Sequence, residues 1–329
     1  IEPEPAGGWR RARLRSAVRH VALLVAVSLT VCLAIVALEK IGVDRVIASL
    51  LQSSPAWVLA AVAVMCLSMV LRAVSWHAIL HAALPDRVLT QLDTLRATAI
   101  GVLMSSTLPA RLGEPARAIV ISRRAGRPRE TMPTVVGTLV SQTVLNVIAL
   151  LVLAAIALSS VPIFNQRHGA LLAVVFIPVV LLVIVLVVPA VLAASGSERF
   201  GRTRAVIRPL LKAARQVRSG LRVFTRPRDG LLALAAQLSA WALQALACYL
   251  LLAAIGLDGR AGIGAAAAVL LAVNVTALVP ATPANVGVFQ AACVAVLTGA
   301  YGVSAADALA YGIVLQAVEV ATAVLMGVP

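Results

Sequence analysis

Ser105–Arg117, SSTLPARLGEPAR, is the stretch whose reading decides the fold. It holds two prolines, a glycine, two arginines and a glutamate. An apolar run, 93–108, leads into it, AIVI follows at 118–121, and a longer apolar run starts at 132. Either the stretch is a loop outside a membrane, or it places charge within one.

Composition makes the membrane certain. Hydrophobic residues are 61% of the 329, charged residues 12%, and the mean hydropathy is +1.00. Soluble domains are nearer half apolar and a quarter charged. Apolar runs of about 18 residues or more recur, each long enough to cross a bilayer. The net charge is +15. In a soluble protein that excess would point to nucleic acid. Here it marks cytoplasmic loops facing anionic lipid, and no nucleic-acid partner is implied. Cys32, Cys66, Cys248 and Cys293 all lie in apolar runs, without metal-ligand spacing or a disulfide framework. RRARLRSAVRH at 10–20 resembles the basic start of a signal peptide. No small-residue cleavage site follows it, so it reads as the flank of an uncleaved first helix.

Basic residues orient the apolar segments. These fall at 18–38, 56–80, 93–108, 132–160, 169–194, 231–256, 262–279, 286–301 and 305–327. Arg10, Arg11, Arg13, Arg15 and Arg19 precede the first segment and set the N-terminus in the cytoplasm of a cell (inner) membrane. The balanced loop 39–55 lies outside, and the second segment returns near Arg87. If 93–108 then crossed, Arg111, Arg117, Arg123, Arg124, Arg127 and Arg129 would all lie outside, against the rule. A re-entrant hairpin over 93–122 resolves the conflict: it turns at LPARLGE, with Pro109 and Gly113 making the turn, and leaves on the side it entered. The loop 195–229 carries ten basic residues and only two acids, so it is cytoplasmic. Two shorter segments joined by VPATPANVG have no basic flank and read as a second hairpin, 262–301, entering from outside. The expected fold is an all-α polytopic membrane protein. It has about six spanning helices and two re-entrant hairpins in an inverted-topology repeat. Residues 1–17 form a basic cytoplasmic segment, 18–160 the first repeat and 161–329 the second. Eight or nine full spans is the competing topology. Within the second repeat, basic residues every three or four positions over 208–224 predict an amphipathic helix on the inner leaflet. Its role is either lipid gathering or topology anchoring.

The two hairpin tips resemble the signatures of the lysylphosphatidylglycerol synthase transmembrane-region family, over roughly 18–327. The first signature is carried by Pro109, Arg111, Gly113, Glu114 and Arg117, and the second by Pro280, Thr282, Pro283 and Gly287. Ala284 and Gln290 depart from that second pattern, standing where the family usually has glycine and an acid. A further Glu-Arg-x-x-Asp motif of the family is replaced by Gln142, Thr143 and Asn146. The resemblance implies a flippase-like role. With no synthase domain within these residues, it implies lipid translocation rather than lysyl-lipid synthesis.

Charge inside the membrane supplies the candidate site. An intramembrane arginine costs about 2.5–3.5 kcal/mol or more unless it is paired or hydrated. Glu114 and Arg117, three apart on a helical arm, are expected to pair. Arg111 is then left either to hold a lipid phosphate, whose oxygens match its fork, or to pair with Glu319. Asp93 and Arg96 read as a structural pair. Arg72 reads as a snorkelling arginine or a groove partner. Asn274, Asn285, Gln237, Gln244 and Gln316 either line a groove or bond between helices. Candidate headgroup-binding residues are Arg72, Arg111, Glu114, Arg117, Gln142, Asn146, Thr282, Asn285, Gln290 and Glu319. His77 and His81 have a metal-pair spacing but no third ligand, and no cofactor is implied. No phosphate-cradling glycine loop is present, so an ion or lipid gradient would drive transport, with Asp307 and Glu319 the acids of the last span. The leading function is a flippase for a phosphate-bearing lipid, whose partners are anionic or phosphate-bearing membrane lipids. A homo-oligomer is compatible with this. The rivals are an intramembrane enzyme acting on a lipid phosphate and a non-catalytic membrane subunit. No catalytic constellation favours the enzyme.

Overall fold

A computed structural model describes residues 43–51, 53–107, 113–160, 220–276, 285 and 287–327. Among them the chain is helical, without strands. The helices are α1 (Val43–Leu51), α2 (Pro55–Ala83), α3 (Gln91–Thr107), α4 (Gly113–Arg124) and α5 (Pro128–Ser160). After a 3-10 turn, Leu221–Thr225, come α6 (Pro227–Ala254), α7 (Ile263–Thr276), α8 (Val288–Tyr301) and α9 (Ala305–Gly327). The expected spans 18–38 and 169–194 lie outside the described residues, as does 208–219 of the basic amphipathic helix. What is described of that helix's end is the 3-10 turn.

Four helices, α2, α5, α6 and α9, are long and apolar enough to cross a bilayer. α2 and α6 each begin on a proline, whose missing amide costs nothing in a first turn. The other apolar helices are shorter. At 1.5 Å per residue α3 is about 25 Å long, α4 about 18 Å, and α7 and α8 about 21 Å each. All fall short of a hydrocarbon core of about 30 Å.

α2 and α6 form the most extensive helix contact and run antiparallel. Ser68 donates its hydroxyl to the Ala240 carbonyl (2.7 Å) and Ser75 to the Ala233 carbonyl (2.8 Å). Two donors one heptad apart meet two acceptors one heptad apart in the opposite order. Small residues bring the two backbones that close: Ala61 and Ala73 on α2, and Ala233, Ala236, Ala240 and Ala247 on α6, are all buried. At the far end, Ser54 donates its amide to Ala254 (2.8 Å).

The remaining helices are distributed evenly about this pair. α3 packs on α2, and α7 on α6. α4 packs on α5, and α8 on α9. Each hairpin also crosses to the other half, α3 against α9 and α7 against α5. Exchanging the halves maps each of these contacts onto another, which is what an inverted repeat requires.

The first hairpin is closed at its foot. Asp93, at the start of α3, accepts from Arg124 Nε at the end of α4 (2.9 Å). The sequence pairs Asp93 with Arg96. The structure gives it to Arg124, because the fold-back of α4 brings that guanidinium to the helix start. Thr90 and Asp93 also cap each other reciprocally: the Thr90 amide donates to Asp93 Oδ2 and the Asp93 amide to Thr90 Oγ1, both at 3.1 Å. Burial alone would push the Asp93 carboxyl up. The Thr90 hydroxyl and amide and the Arg124 guanidinium outweigh it and hold the group below the usual carboxylate range. The entry and exit of the hairpin therefore sit at one level. Cysteines placed at Arg87 and Arg123 are expected to react with a membrane-impermeant maleimide from one and the same side. Labelling from opposite sides would mean that the segment crosses.

The loop 39–55 is not merely a balanced loop. It holds α1, which packs on α9. Ser49 donates to Asp307 Oδ1 (2.6 Å), and Ser304 donates to Asp307 Oδ2 (2.7 Å).

Candidate functional site

Between the central pair and the two hairpins lies a cavity of about 240 Å³. α2 contributes Arg72 and Ser68, α3 Ser105, α6 Gln244, α7 Asn274 and α9 Gln316 and Glu319. Asn285, with φ +54° at the second tip, also lines it. Both halves and both hairpins thus meet in one polar space. Thr322 lines it too, and the rest of its wall is apolar, including Met65, Met69 and Phe289.

Arg72 is the cation of this cavity. Its Nη2 donates to Gln244 Oε1, and its guanidinium lies over the Trp241 ring, 5.3 Å from the centroid. Its Nε is buried and has no hydrogen-bond partner among the described residues. A neutral amide oxygen and an aromatic face hold the group in place without cancelling its charge. Glu319 faces it across the cavity without reaching ion-pair distance. A guanidinium so held, with a donor to spare, suits a planar or tetrahedral oxyanion.

Arg117, a second arginine among the described residues, is built differently. Arg117 Nη2 lies 2.7 Å from Glu114 Oε2, and its Nε donates to the same oxygen at 3.0 Å. Nη2 also donates to Gln142 Oε1 (2.9 Å), and the guanidinium stacks over Trp76 at 4.7 Å. This is a closed knot joining α2, α4 and α5, outside the cavity wall. Gln142 passes the link on by donating Nε2 to the Arg72 carbonyl (3.4 Å). Asn146 Oδ1 accepts from Gln237 Nε2 (2.6 Å) and Trp241 Nε1 (3.1 Å). Trp241 is thus fixed on one side by Asn146 while Arg72 lies against its ring. Thr143 faces outward and bonds only its own helix, at the Leu139 carbonyl.

Of the residues expected at a site, the structure brings Arg72, Asn285 and Glu319 into the cavity wall. Glu114, Arg117 and Gln142 form the knot beside it, and Asn146 supports Trp241. Arg111 and Thr282 lie outside the described residues. Gln290 clamps the second tip: its Oε1 accepts the Gly287 amide (2.7 Å), and its Nε2 donates to Gln316. Asn274, Gln244 and Gln316 line the cavity, whereas Gln237 goes to Asn146. Sequence reasoning missed Trp241, Trp76, Ser68 and Ser105. Ser105 opens the quoted stretch, but its cavity position depends on α3 meeting α9. His77 faces Thr94 (3.3 Å) and His81 faces Asp229 (3.5 Å). Among the described residues no three metal-ligating side chains converge.

Among the described residues, four helices long and apolar enough to cross a membrane, paired short apolar helices and a charged cavity between them define a multi-pass membrane protein. The chain belongs to the family described as the lysylphosphatidylglycerol synthase TM region, whose model matches residues 21–327. That membership connects it with membrane lipid. Comparison with curated proteins and with solved structures gave no match.

Proposed function

We propose that this protein is a lipid flippase, moving a lipid with a phosphate-bearing headgroup across the cytoplasmic membrane. The observation that carries the reading is Arg72. It is a guanidinium on a membrane-crossing helix, in a cavity shared by both halves, with a spare donor and, among the described residues, no carboxylate at ion-pair distance. A headgroup bound there sits between two hairpins that belong to opposite halves, while its acyl chains stay in lipid. The fold's exchange symmetry supports alternating access, since the two halves can trade roles about the α2–α6 pair. On this reading the protein is not an enzyme, its N-terminus is cytoplasmic, and its partners are phosphate-bearing or anionic lipids. The test is flipping of fluorescent (NBD-labelled) phosphatidylglycerol in proteoliposomes, read by dithionite quenching. The purified protein is expected to expose the inner-leaflet probe within minutes. Quenching that stops at the outer-leaflet fraction, as in protein-free vesicles, would reject the function.

A further inference from the structure

We infer that Glu319 carries a proton with each headgroup, so that the flippase is a proton symporter; this rests on the function proposed above.

The last span holds two acids, and the structure separates them. Asp307 is engaged at both oxygens, by Ser49 and Ser304, and its amide donates to Ser304 Oγ (3.2 Å). It is a helix-start residue held in place. Glu319 lies about 18 Å along the same helix by its rise per residue. It lines the cavity and has no hydrogen bond or ion pair among the described residues. A carboxyl at membrane depth that is committed to no partner, and that shares a cavity with a substrate cation, is placed as a proton relay is placed.

Arg72 links the two ligands. Among the described residues it is the counter-charge that acts on Glu319, and it is also the group a phosphate would engage. With the cavity empty, the guanidinium stabilises the Glu319 carboxylate. When a phosphate takes the guanidinium, that stabilisation is lost and a second negative charge stands in the same low-dielectric space. Glu319 then takes a proton from the aqueous phase that delivered the lipid. On the other side both leave: the phosphate returns Arg72 to Glu319, and the carboxyl gives up its proton. One negative charge and one proton cross together, so the cavity's net charge is the same empty and loaded.

The surroundings leave Glu319 as the titrating group. α2 brings Arg72, and α4 touches that arginine's field only through the closed Arg117–Glu114 pair. α6 brings Cys248, α8 brings Cys293, and α9 itself brings Tyr311, whose hydroxyl donates to the Cys248 carbonyl (3.0 Å). Thiols and phenols ordinarily titrate above pH 8 and keep their protons between pH 5 and 8. α3 faces the cavity with Val102 and Ser105, and α1 meets α9 at Asp307.

Two measurements on the full chain test this. In the first, NBD-labelled phosphatidylglycerol is followed in proteoliposomes with and without an imposed pH gradient. Wild type is expected to drive the probe out of the acidic compartment, reversing direction when the gradient is reversed. The second is the affinity of purified protein for dihexanoyl phosphatidylglycerol, whose phosphate does not titrate between pH 5 and 9. Wild type is expected to lose about tenfold per pH unit above the titration point, as linkage to one proton requires. Glu319→Gln is expected to bind with no pH dependence, and Glu319→Asp to keep it. Flipping that ignores the gradient overturns the coupling and leaves the flippase standing. An unchanged pH slope in Glu319→Gln overturns the role of Glu319. No flipping by wild type under any gradient removes both.

Discussion

Proteoliposomes carrying Arg72→Ala flip NBD-labelled phosphatidylglycerol at between about a tenth and a hundredth of the wild-type rate, and the detergent-purified variant melts no lower than wild type. The first half of this result follows from the bond lost. A charge-assisted hydrogen bond to phosphate contributes about 1.5–3 kcal/mol, and each ~1.4 kcal/mol is a factor of ten. The second half follows from where the arginine sits. Placing a guanidinium at membrane depth costs about 2.5–3.5 kcal/mol or more. Arg72 recovers this only in part, from one amide oxygen and one aromatic face. Removing it relieves that burden, and Glu319, left without its counter-charge, takes up a proton rather than standing as a buried anion. Arg72→Lys is expected to recover little transport, because an ammonium has no fork to span two phosphate oxygens. A structural ion pair with Glu319 gives the opposite signature. Arg72→Ala would then lower the melting temperature, and adding Glu319→Gln would restore it. Wild-type flipping by Arg72→Ala would end the phosphate-binding assignment.

Gly113→Ala is the second large effect, and it acts on folding. A Cβ at Gly113 would stand 1.9 Å from the Gly101 carbonyl oxygen and 2.2 Å from Ser105 Oγ. The serine can rotate away, but the backbone carbonyl cannot. α3 and α4 must separate, at a cost of about 3 kcal/mol or more by analogy with overpacked cores. Folded yield in detergent is expected to fall at least several-fold, with the melting temperature dropping in what remains. Gly101→Ala is a milder probe of the same crossing, since its Cβ would sit 3.1 Å from the Gly113 carbonyl oxygen. A Gly113→Ala protein as stable as wild type would mean that the two arms do not cross here.

These residues also show where the sequence was legible. The first hairpin could be read because the positive-inside rule needs only a count of arginines, and Arg123, Arg124, Arg127 and Arg129 cannot lie on the far side of a single crossing. The second hairpin was legible through shortness and the absence of basic flanks. The reason for Gly113 was not legible. Read as a turn residue, it is the first residue of α4, is buried, and is not among the glycines with positive φ. Its requirement is the backbone of α3, which no local pattern announces. The pairing of Asp93 failed for a similar reason. A partner three residues along can be read from spacing, while Arg124 comes near only when the hairpin closes. The holders of Arg72 were not legible, because Gln244 and Trp241 reach it from another helix, whereas the acid beside Arg117 stands three residues away. The Glu114–Arg117 pair, in contrast, is local and was read correctly.

The separation between Arg72 and its holders has a consequence for how the protein is made. Gln244 lies 172 residues after Arg72. A ribosome adds roughly 5–20 residues per second, so on the order of ten to thirty seconds pass between the emergence of the arginine and that of its partner. Throughout that interval α2 carries an unpartnered guanidinium with its companion helix not yet synthesised. The nascent first half therefore needs a polar shelter, in the insertion machinery or at the lipid headgroups, and it cannot be released into the bilayer as a finished unit. A chain stopped before α6 should be held by the insertion machinery or degraded, and the halves expressed as separate fragments should survive only when they are made together.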